Sequence, residues 1–194
     1  MSESETDISP TLRLEGDAAR LEAVVAVTEL LGRLKIGAAW VGEVALAAWM
    51  GEPLGPSGAV DVLAVVPTDR SRQIPMMARH HGFRIDEEEA RRTEELDLLP
   101  MTRMGEGEGV RVHVLFATNA LYGTMVRDGA DAVVGETAIR IVAAEDLALL
   151  MLVGGMPGVK ELIARLRLRA GARFDPEALN RKLSSIGLAG EVIR

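Results

Sequence analysis

Residues 40 to 67 combine side chains that could handle a phosphate with features that would oppose one. The segment reads WVGEVALAAWMGEPLGPSGAVDVLAVVP. A glycine at the start of a helix lets a phosphate approach free backbone N–H groups, and carboxylates spaced two residues apart on a strand can hold metal ions. Here Gly42 is followed by Glu43, Asp61 opens an apolar strand, and the segment contains no Lys or Arg. It therefore has the outline of a phosphate site with few of its charged groups.

The elements that would position these residues follow from local patterns. Asp17 can cap a first helix, IGAAWVG and 60–66 read as strands around a buried helix, and 110–116 is expected to pair beside 60–66. Further expected elements are a helix over 69–82 complicated by Pro75, a hairpin around GEGEG, a helix capped by Thr118, a hairpin around Gly135-Glu136, and a helix starting at Asp175-Pro176. The charged run 86–97 suggests a solvated connection or short helix.

The change of periodicity near residue 143 predicts the domain organisation. We expect a disordered acidic tail over 1–10, an α/β core over 11–143 and a helical segment over 144–194 packed on that core. The first ten residues lack the basic start and apolar run of a secretory signal, and apolar runs such as LALLMLVGGM are shorter than the roughly 20 residues of a membrane helix. With no cysteine for a disulfide, the expectation is a soluble cytoplasmic protein.

Charge and composition narrow the class of partner. The net charge is −7, from 29 acidic against 22 basic residues, which disfavours binding a nucleic acid through neutralised phosphates. The basic run RLRLR at 165–169 alternates with leucine in an apparent helix, and aromatic residues make up only 3% of the chain. Neither a nucleic acid nor a membrane is therefore expected. A protein partner is expected and a homo-oligomer is allowed.

The order of elements, and residues 36–66 above all, resembles the nucleotidyltransferase superfamily, especially its minimal and AbiEii-type toxin branches. WVGEVALAAW lies where that family has a Gly-Gly turn and helix, and PSGAVDVLAVV where it has an Asp-x-Asp strand. VRVHVLFATNAL resembles the strand of the third carboxylate, and IRIVAAEDLALLML the later hairpin and first helix of the tail. The resemblance implies an α/β (α+β) fold, with a mixed β-sheet core flanked by helices and a C-terminal helical segment.

The departures from the family pattern fall where its chemistry would be. A family lysine would fall near Met151. The remaining motif positions are filled by Gly42 at the first glycine, Glu43 at the second, Ser57 at the Thr/Ser position, Ala59 at the first Asp, Asp61 at the second and His113 at the third. Ala59 offers no oxygen, and imidazole suits Mg²⁺ less well than a carboxylate does. Glu43 would repel a triphosphate from the helix terminus. These departures from the family pattern therefore predict that no metal or cofactor is bound.

The sequence leaves a structural interpretation open for each candidate. Asp61 could bond loop N–H groups, His113 could be a core or rim histidine, Glu43 a helix-start residue and Ser57 an ordinary loop serine. The leading hypothesis is a catalytically degenerate nucleotidyltransferase-like protein, a binding or regulatory module acting through protein contacts, with Gly42 and Ser57 as ligand-binding remnants. The alternative is an active transferase in which Asp61, His113 and Glu43 converge as a Mg²⁺ or acid–base cluster. A third is an unrelated α/β binding protein.

Overall fold

A computed structural model describes residues 11–67, 69–93, 97–105 and 109–188 and shows one mixed sheet of eight strands with helices on both faces. The strands are β1 (Leu12–Arg13), β2 (Gly37–Trp40), β3 (Val60–Val65), β4 (Phe83–Arg84), β5 (Leu98–Arg103), β6 (Val110–Phe116), β7 (Ala130–Val134) and β8 (Thr137–Ile141). The helices are α1 (Ala18–Arg33), α2 (Gly42–Met50), α3 (Gln73–His80), α4 (Glu87–Thr93), α5 (Ala120–Arg127), α6 (Ala144–Val153), α7 (Val159–Ala170) and α8 (Pro176–Ser185).

The sheet has the spatial order β1-β7-β8-β2-β3-β6-β5-β4. β3 and β6 run parallel in its centre, and their register pairs Asp61 directly with His113. β2 flanks β3 in the antiparallel direction, whereas β5 and β6 form an antiparallel hairpin, as do β7 and β8. The predicted pairing of 60–66 with 110–116 and both predicted hairpins are therefore confirmed.

Helices cover the two faces of the sheet because strand side chains alternate between them. On one face the Trp40 Nε1 donates to Thr28 Oγ1 of α1 at 3.1 Å. On the other face α5 packs close to β2. The side chain of Val126 lies 3.7 Å from the point that a Cβ atom of residue 37 would occupy if Gly37 had one. The central strand β3 is almost wholly buried between these layers, as its β-branched sequence predicts. Its exception near the start is Asp61, which is half-buried.

Helix starts follow capping chemistry, with two corrections to the sequence-based expectations. Asp17 caps α1 and Asp175 caps α8, as expected. The cap of α5 is Asn119, whose side chain accepts the Tyr122 N–H at 2.9 Å; the expectation of Thr118 was wrong by one residue. Pro75 lies in the first turn of α3, where a missing N–H costs nothing, and α3 begins at Gln73 rather than at 69.

The C-terminal helices contact the sheet layer through α2. Trp49 of α2 donates its Nε1–H to the Val142 carbonyl at 3.0 Å, and the Arg173 guanidinium stacks 4.9 Å from the centre of its ring. An ion pair between the fully buried Asp146 of α6 and the partly exposed Lys182 of α8 joins the first and last of these helices. The expected helices after residue 143 are thus present, while the division into a core and a separate segment stays a prediction.

Four parts of the sequence-based interpretation lie outside the described residues, namely the tail at 1–10, residues 94–96 of the charged run, the 106–108 tip of the first hairpin and residues 189–194 of the C-terminal segment. The short strands β1 and β4, of two residues each, carried no periodic signal and were not predicted. The charged run contains the exposed helix α4. Across the part of the chain that can be described, no helix is long and apolar enough to cross a membrane.

Candidate functional site

A cavity of about 430 Å³ opens between the start of α2, the central strands, α5 and α6. We call it the central cavity. Its walls are mostly apolar, with a small set of polar groups at one end. Its lining residues are Val41, Gly42, Asp61, Leu63, Asp97, Leu98, His113, Leu115, Phe116, Thr118, Tyr122 and Leu150. An apolar cavity with few convergent polar groups is the usual form of a small-molecule site.

Asp61 and His113 are joined across the two central strands. The His113 Nδ1 lies 2.8 Å from the Asp61 Oδ1, and each side chain is about one-third exposed, at 28% and 33%. Because an ionised carboxylate can only accept, Nδ1 carries the proton and donates it. The parallel register puts the two residues opposite one another, so the sheet itself fixes this contact.

The environment raises the pKa of His113 above its ordinary value. The main cause is its hydrogen bond to Asp61; partial burial opposes the rise, and the charges of Asp61 and Glu89 add to it. The nearby Arg111 has a small lowering effect on the same pKa. The protonated, cationic form of the ring is therefore favoured, and it is paired with the negative Asp61.

Gly42 begins α2 directly against Asp61. Its φ of +56° lies in the left-handed region, and a Cβ there would come within 3.0 Å of Asp61 Oδ2. The carboxylate thus occupies the space beside the amino terminus of a helix, where the helix dipole favours a negative charge. A phosphate using that terminus would have to displace or approach a carboxylate already present.

Asp97 supplies the second carboxylate in the lining. It is exposed and precedes β5, with a φ of +52° that few non-glycine residues adopt. Its carbonyl accepts the Phe116 N–H at 2.7 Å, which ties this backbone conformation to the end of β6. Asp97 belongs to the charged run 86–97, for which the sequence analysis predicted only a solvated connection or short helix.

Glu43 does not line the central cavity. Its Oε2 lies 2.8 Å from Nη2 of Arg20, a fully buried arginine on α1 that also donates to the carbonyls of Gly55 and Ala59. The structure therefore brings together two members of the expected Glu43, Asp61 and His113 cluster and directs the third toward Arg20. Glu43 is a counter-ion for a buried cation rather than an occupant of a phosphate cradle.

The other predicted positions contribute little to the cavity. Ser57 is exposed in the loop before β3 and lies outside the lining, and Ala59 contacts Arg20 through its carbonyl. Met151 is buried in α6. Over the described ranges, no three His, Asp or Glu side chains converge in a way that could hold a metal ion.

Sequence reasoning missed Arg20, Asp97 and Tyr122. Arg20 carried a usable signal, because it continues the buried stripe of α1 formed by Val24, Val27 and Leu31 at helical spacing. An arginine on such a stripe needs a buried partner. Asp97 and Tyr122 carried none, since only the tertiary fold brings the start of β5 and the helix α5 to the same cavity.

Comparisons with known proteins agree with this architecture. No protein-family model and no curated protein sequence matches the chain. The solution structure of the antibiotic-resistance factor ANT(2'')-Ia is 14% identical, with a TM-score of 0.57 over 88% of this chain and 94% of that one. Lincomycin-bound lincosamide antibiotic adenylyltransferase LnuA is 10% identical, with a TM-score of 0.53 over 79% of this chain and 98% of its own.

A third similar structure is an antigenic nucleotidyltransferase-like protein from Paracoccidioides brasiliensis. It is 13% identical, with a TM-score of 0.51 over 88% of each chain. At such identities the likeness concerns the backbone, and it extends over most of the sheet and the helices described above. The likeness therefore shows that the chain has a nucleotidyltransferase-like fold.

Proposed function

We propose that this protein is a nucleotidyltransferase-fold binding module that does not transfer nucleotides, and that the central cavity is its binding site. The observation that supports this most is the Asp61–His113 pair. The carboxylate that the fold would offer to a metal is hydrogen-bonded to an imidazole, and the position two residues before it on the same strand face is Ala59.

Nucleotidyl transfer in this fold would require carboxylates to hold divalent ions about 3.5–4 Å apart against the entering and leaving oxygens. Asp61 alone supplies too few oxygen ligands to hold two such ions, because Ala59 and His113 occupy the other two positions. Its Oδ1 is already hydrogen-bonded to His113 Nδ1 at 2.8 Å, so a metal ion at that oxygen would have to displace the imidazole. The residues at these positions therefore do not fit the pair of Mg²⁺ ions that the resemblance implies.

The central cavity also opposes a triphosphate. Among the described residues that line it, none is Lys or Arg, whereas Asp61 and Asp97 are both acidic. The nearest buried cation along the helix start, Arg20, is already paired with Glu43. A polyanion would therefore enter without compensating charge, at a substantial electrostatic cost.

The cavity instead fits a small ligand with an apolar body. Its volume of about 430 Å³ lies within the usual range of 300–1,000 Å³ for ligand pockets, and leucine and aromatic residues make up half of its lining. A ligand bound there would contact residues of α2, α5 and α6, and could change how these helices pack. We propose that the protein acts by contacting a protein partner, as the sequence analysis expects, and that ligand binding in the cavity regulates this contact.

Calorimetric titration with each nucleoside triphosphate and Mg²⁺ tests the inert interpretation. We expect no saturable binding in the micromolar range for the parent protein, and the same result for Asp61→Asn. A micromolar Kd, about −8 kcal/mol, that is lost in Asp61→Asn would contradict the proposal. Metal-dependent labelling of RNA or protein from a labelled triphosphate would contradict it as well.

An active transferase is the second candidate, and the same Asp61–His113 pair favours it. A carboxylate paired with a histidine in a cleft could serve as an acid–base pair, and two of the similar structures are described as an adenylyltransferase and an antibiotic-resistance factor. This candidate requires ATP- and Mg²⁺-dependent release of pyrophosphate with lincomycin or tobramycin present. The release must disappear in both Asp61→Asn and His113→Gln.

A further inference from the structure

We propose that the central cavity selects a compact organic cation, an ammonium group carried on an apolar or aromatic body. This inference rests on the proposed function, because it assumes that the cavity is a ligand site. It adds the chemical class of the ligand, which follows from the charges, the unsatisfied oxygens and the walls of the cavity.

The charges of the lining are one-sided. Asp61 and Asp97 are its acidic members, and His113 is the one residue in the described lining that can carry a positive charge. That charge is directed at Asp61 Oδ1, because Nδ1 donates there at 2.8 Å. The excess charge facing the empty space is therefore negative, and a positive ligand would lower the electrostatic energy of the site.

Carboxylate oxygens remain available for such a ligand. Asp61 Oδ2 and both side-chain oxygens of Asp97 accept no hydrogen bond from any residue in the described ranges. A carboxylate has about four acceptor positions, and an ammonium group carries up to three donors and no acceptor. Charge-assisted N–H···O bonds of this kind are about twice as strong as neutral ones.

Asp97 is held in a conformation that its local sequence does not require. Its φ of +52° is fixed from outside by the 2.7 Å bond from the Phe116 N–H to its carbonyl. Aspartate tolerates the left-handed region better than most residues, yet uncommon backbone conformations that persist tend to occur at binding sites. Here the conformation places a second carboxylate residue in the lining, on an element separate from Asp61.

The remaining wall suits the apolar body of such a cation. Leu63, Leu115 and Leu150 provide aliphatic surface, and Phe116 and Tyr122 add two aromatic rings. A cation over an aromatic face gains roughly 0.5–2 kcal/mol, more as water is removed. An anion of the same shape should bind more weakly, because both the carboxylates and the negative faces of the aromatic rings would repel it.

Three probes of matched shape test the charge selection: cyclohexylmethylamine, cyclohexylmethanol and cyclohexanecarboxylate. Their binding to the full chain at neutral pH is measured by ¹H–¹⁵N NMR titration, following the amides of Leu63, Leu98 and Tyr122. We expect the amine to bind at least tenfold more tightly than the alcohol, and the carboxylate to cause no saturable shift. In Asp97→Asn, which suits the same backbone conformation, the amine should fall to the affinity of the alcohol.

Each other outcome has a defined meaning. If the alcohol binds as tightly as the amine, or if the amine keeps its advantage in both Asp97→Asn and Asp61→Asn, the charge selection is wrong while the cavity stands as a ligand site. If none of the three probes shifts the three cavity amides, the proposed function fails together with this inference. Shifts confined to other acidic surfaces count as that second failure.

Discussion

At the scale of single residues, the contact between Asp61 and His113 joins a carboxylate and an imidazole that both line the central cavity. The two side chains meet because their strands are parallel and in register, not because either sequence segment specifies the other. The pair is partly exposed, so its energetic contribution is modest, yet it decides the charge that the central cavity presents.

The raised pKa of His113 predicts a pH dependence. Its hydrogen bond to Asp61 is the main cause, so the ring should titrate above its ordinary value of 6.5 in the parent and lower in Asp61→Asn. A histidine pKa that is raised on folding stabilises the protein fully below the unfolded-state value. This contribution to the free energy of unfolding is then lost as the pH rises through the folded-state value.

NMR titration of the ring and urea unfolding at several pH values measure the two effects. His113→Gln should flatten the pH dependence of unfolding over that window and serves as the control. An unchanged ring titration in Asp61→Asn would show that the hydrogen bond does not hold the proton.

The Arg20–Glu43 pair predicts a large effect from a half-exposed glutamate. Arg20 is 1% exposed, so Glu43→Ala leaves a buried guanidinium without its counter-ion and should cost roughly 3 kcal/mol of unfolding free energy. The matched control is Glu52→Ala, which removes the partner of the exposed Arg165 and should cost less than about 1 kcal/mol. Urea denaturation compares the two; equal losses would mean that Arg20 does not depend on Glu43.

At the scale of elements, α8 is joined to α6 by an ion pair that was not predicted from the sequence. Asp146 is 0% exposed and Lys182 is 20% exposed, so the ammonium group is the one charge close enough to compensate the carboxylate among the described residues. Burial raises the pKa of Asp146, whereas Lys182 acts in the opposite direction. The second oxygen, Oδ2, has no hydrogen-bond partner in the described chain.

Lys182→Met should therefore destabilise the protein by roughly 3 kcal/mol near neutral pH. The loss should shrink in acid, because the pKa of Asp146 would rise further without Lys182. A carboxyl group with a raised folded-state pKa loses stability as the pH rises from its unfolded-state value through the folded-state one. Thermal melts across pH measure this.

Two further variants make that result interpretable. Lys160→Met changes an exposed lysine of α7 and should be nearly neutral. Asp146→Leu combined with Lys182→Met should recover most of the stability, since it removes the buried charge together with its partner. A double variant as unstable as Lys182→Met would point to lost packing rather than an uncompensated charge.

At the scale of the whole molecule, the fold is nucleotidyltransferase-like, and our proposal is that Ala59, Asp61 and His113 stand where such a fold would hold metal ions. Rebuilding the acidic pattern tests whether these positions converge. Replacing Glu43 by glycine as well would orphan Arg20, so we choose the double variant Ala59→Asp/His113→Asp. Its two new carboxylates should repel Asp61 and lower the melting temperature in the absence of a divalent ion.

Mg²⁺ or Mn²⁺ should then raise the melting temperature of this variant and not that of the parent, because an ion that binds the folded state alone shifts unfolding by mass action. Ala59→Asn/His113→Asn is the neutral control and should not respond. An equal rise in all three proteins, or no rise in any, would show that the three positions do not share a site.

The sequence by itself determined most of the elements and part of the site. β-Branched runs, Gly-containing turns and the caps Asp17 and Asp175 are local signals, and they predicted the central strands, both hairpins and the helices after residue 143. The family resemblance added the expectation that Asp61 and His113 lie on neighbouring strands, and the register of β3 and β6 brings them into contact.

Only the tertiary structure decided how the charges are paired. Arg20 and Glu43 are 23 residues apart in the sequence, and Asp146 and Lys182 are 36 apart. The local periodicity of the sequence does not predict contacts over such separations. Asp97 enters the cavity because β5 pairs with β6, although its neighbours in sequence are solvated charges. The energy of two charges depends on the distance between them in space. The charge of the site could therefore be determined only from the folded structure, which sets these distances.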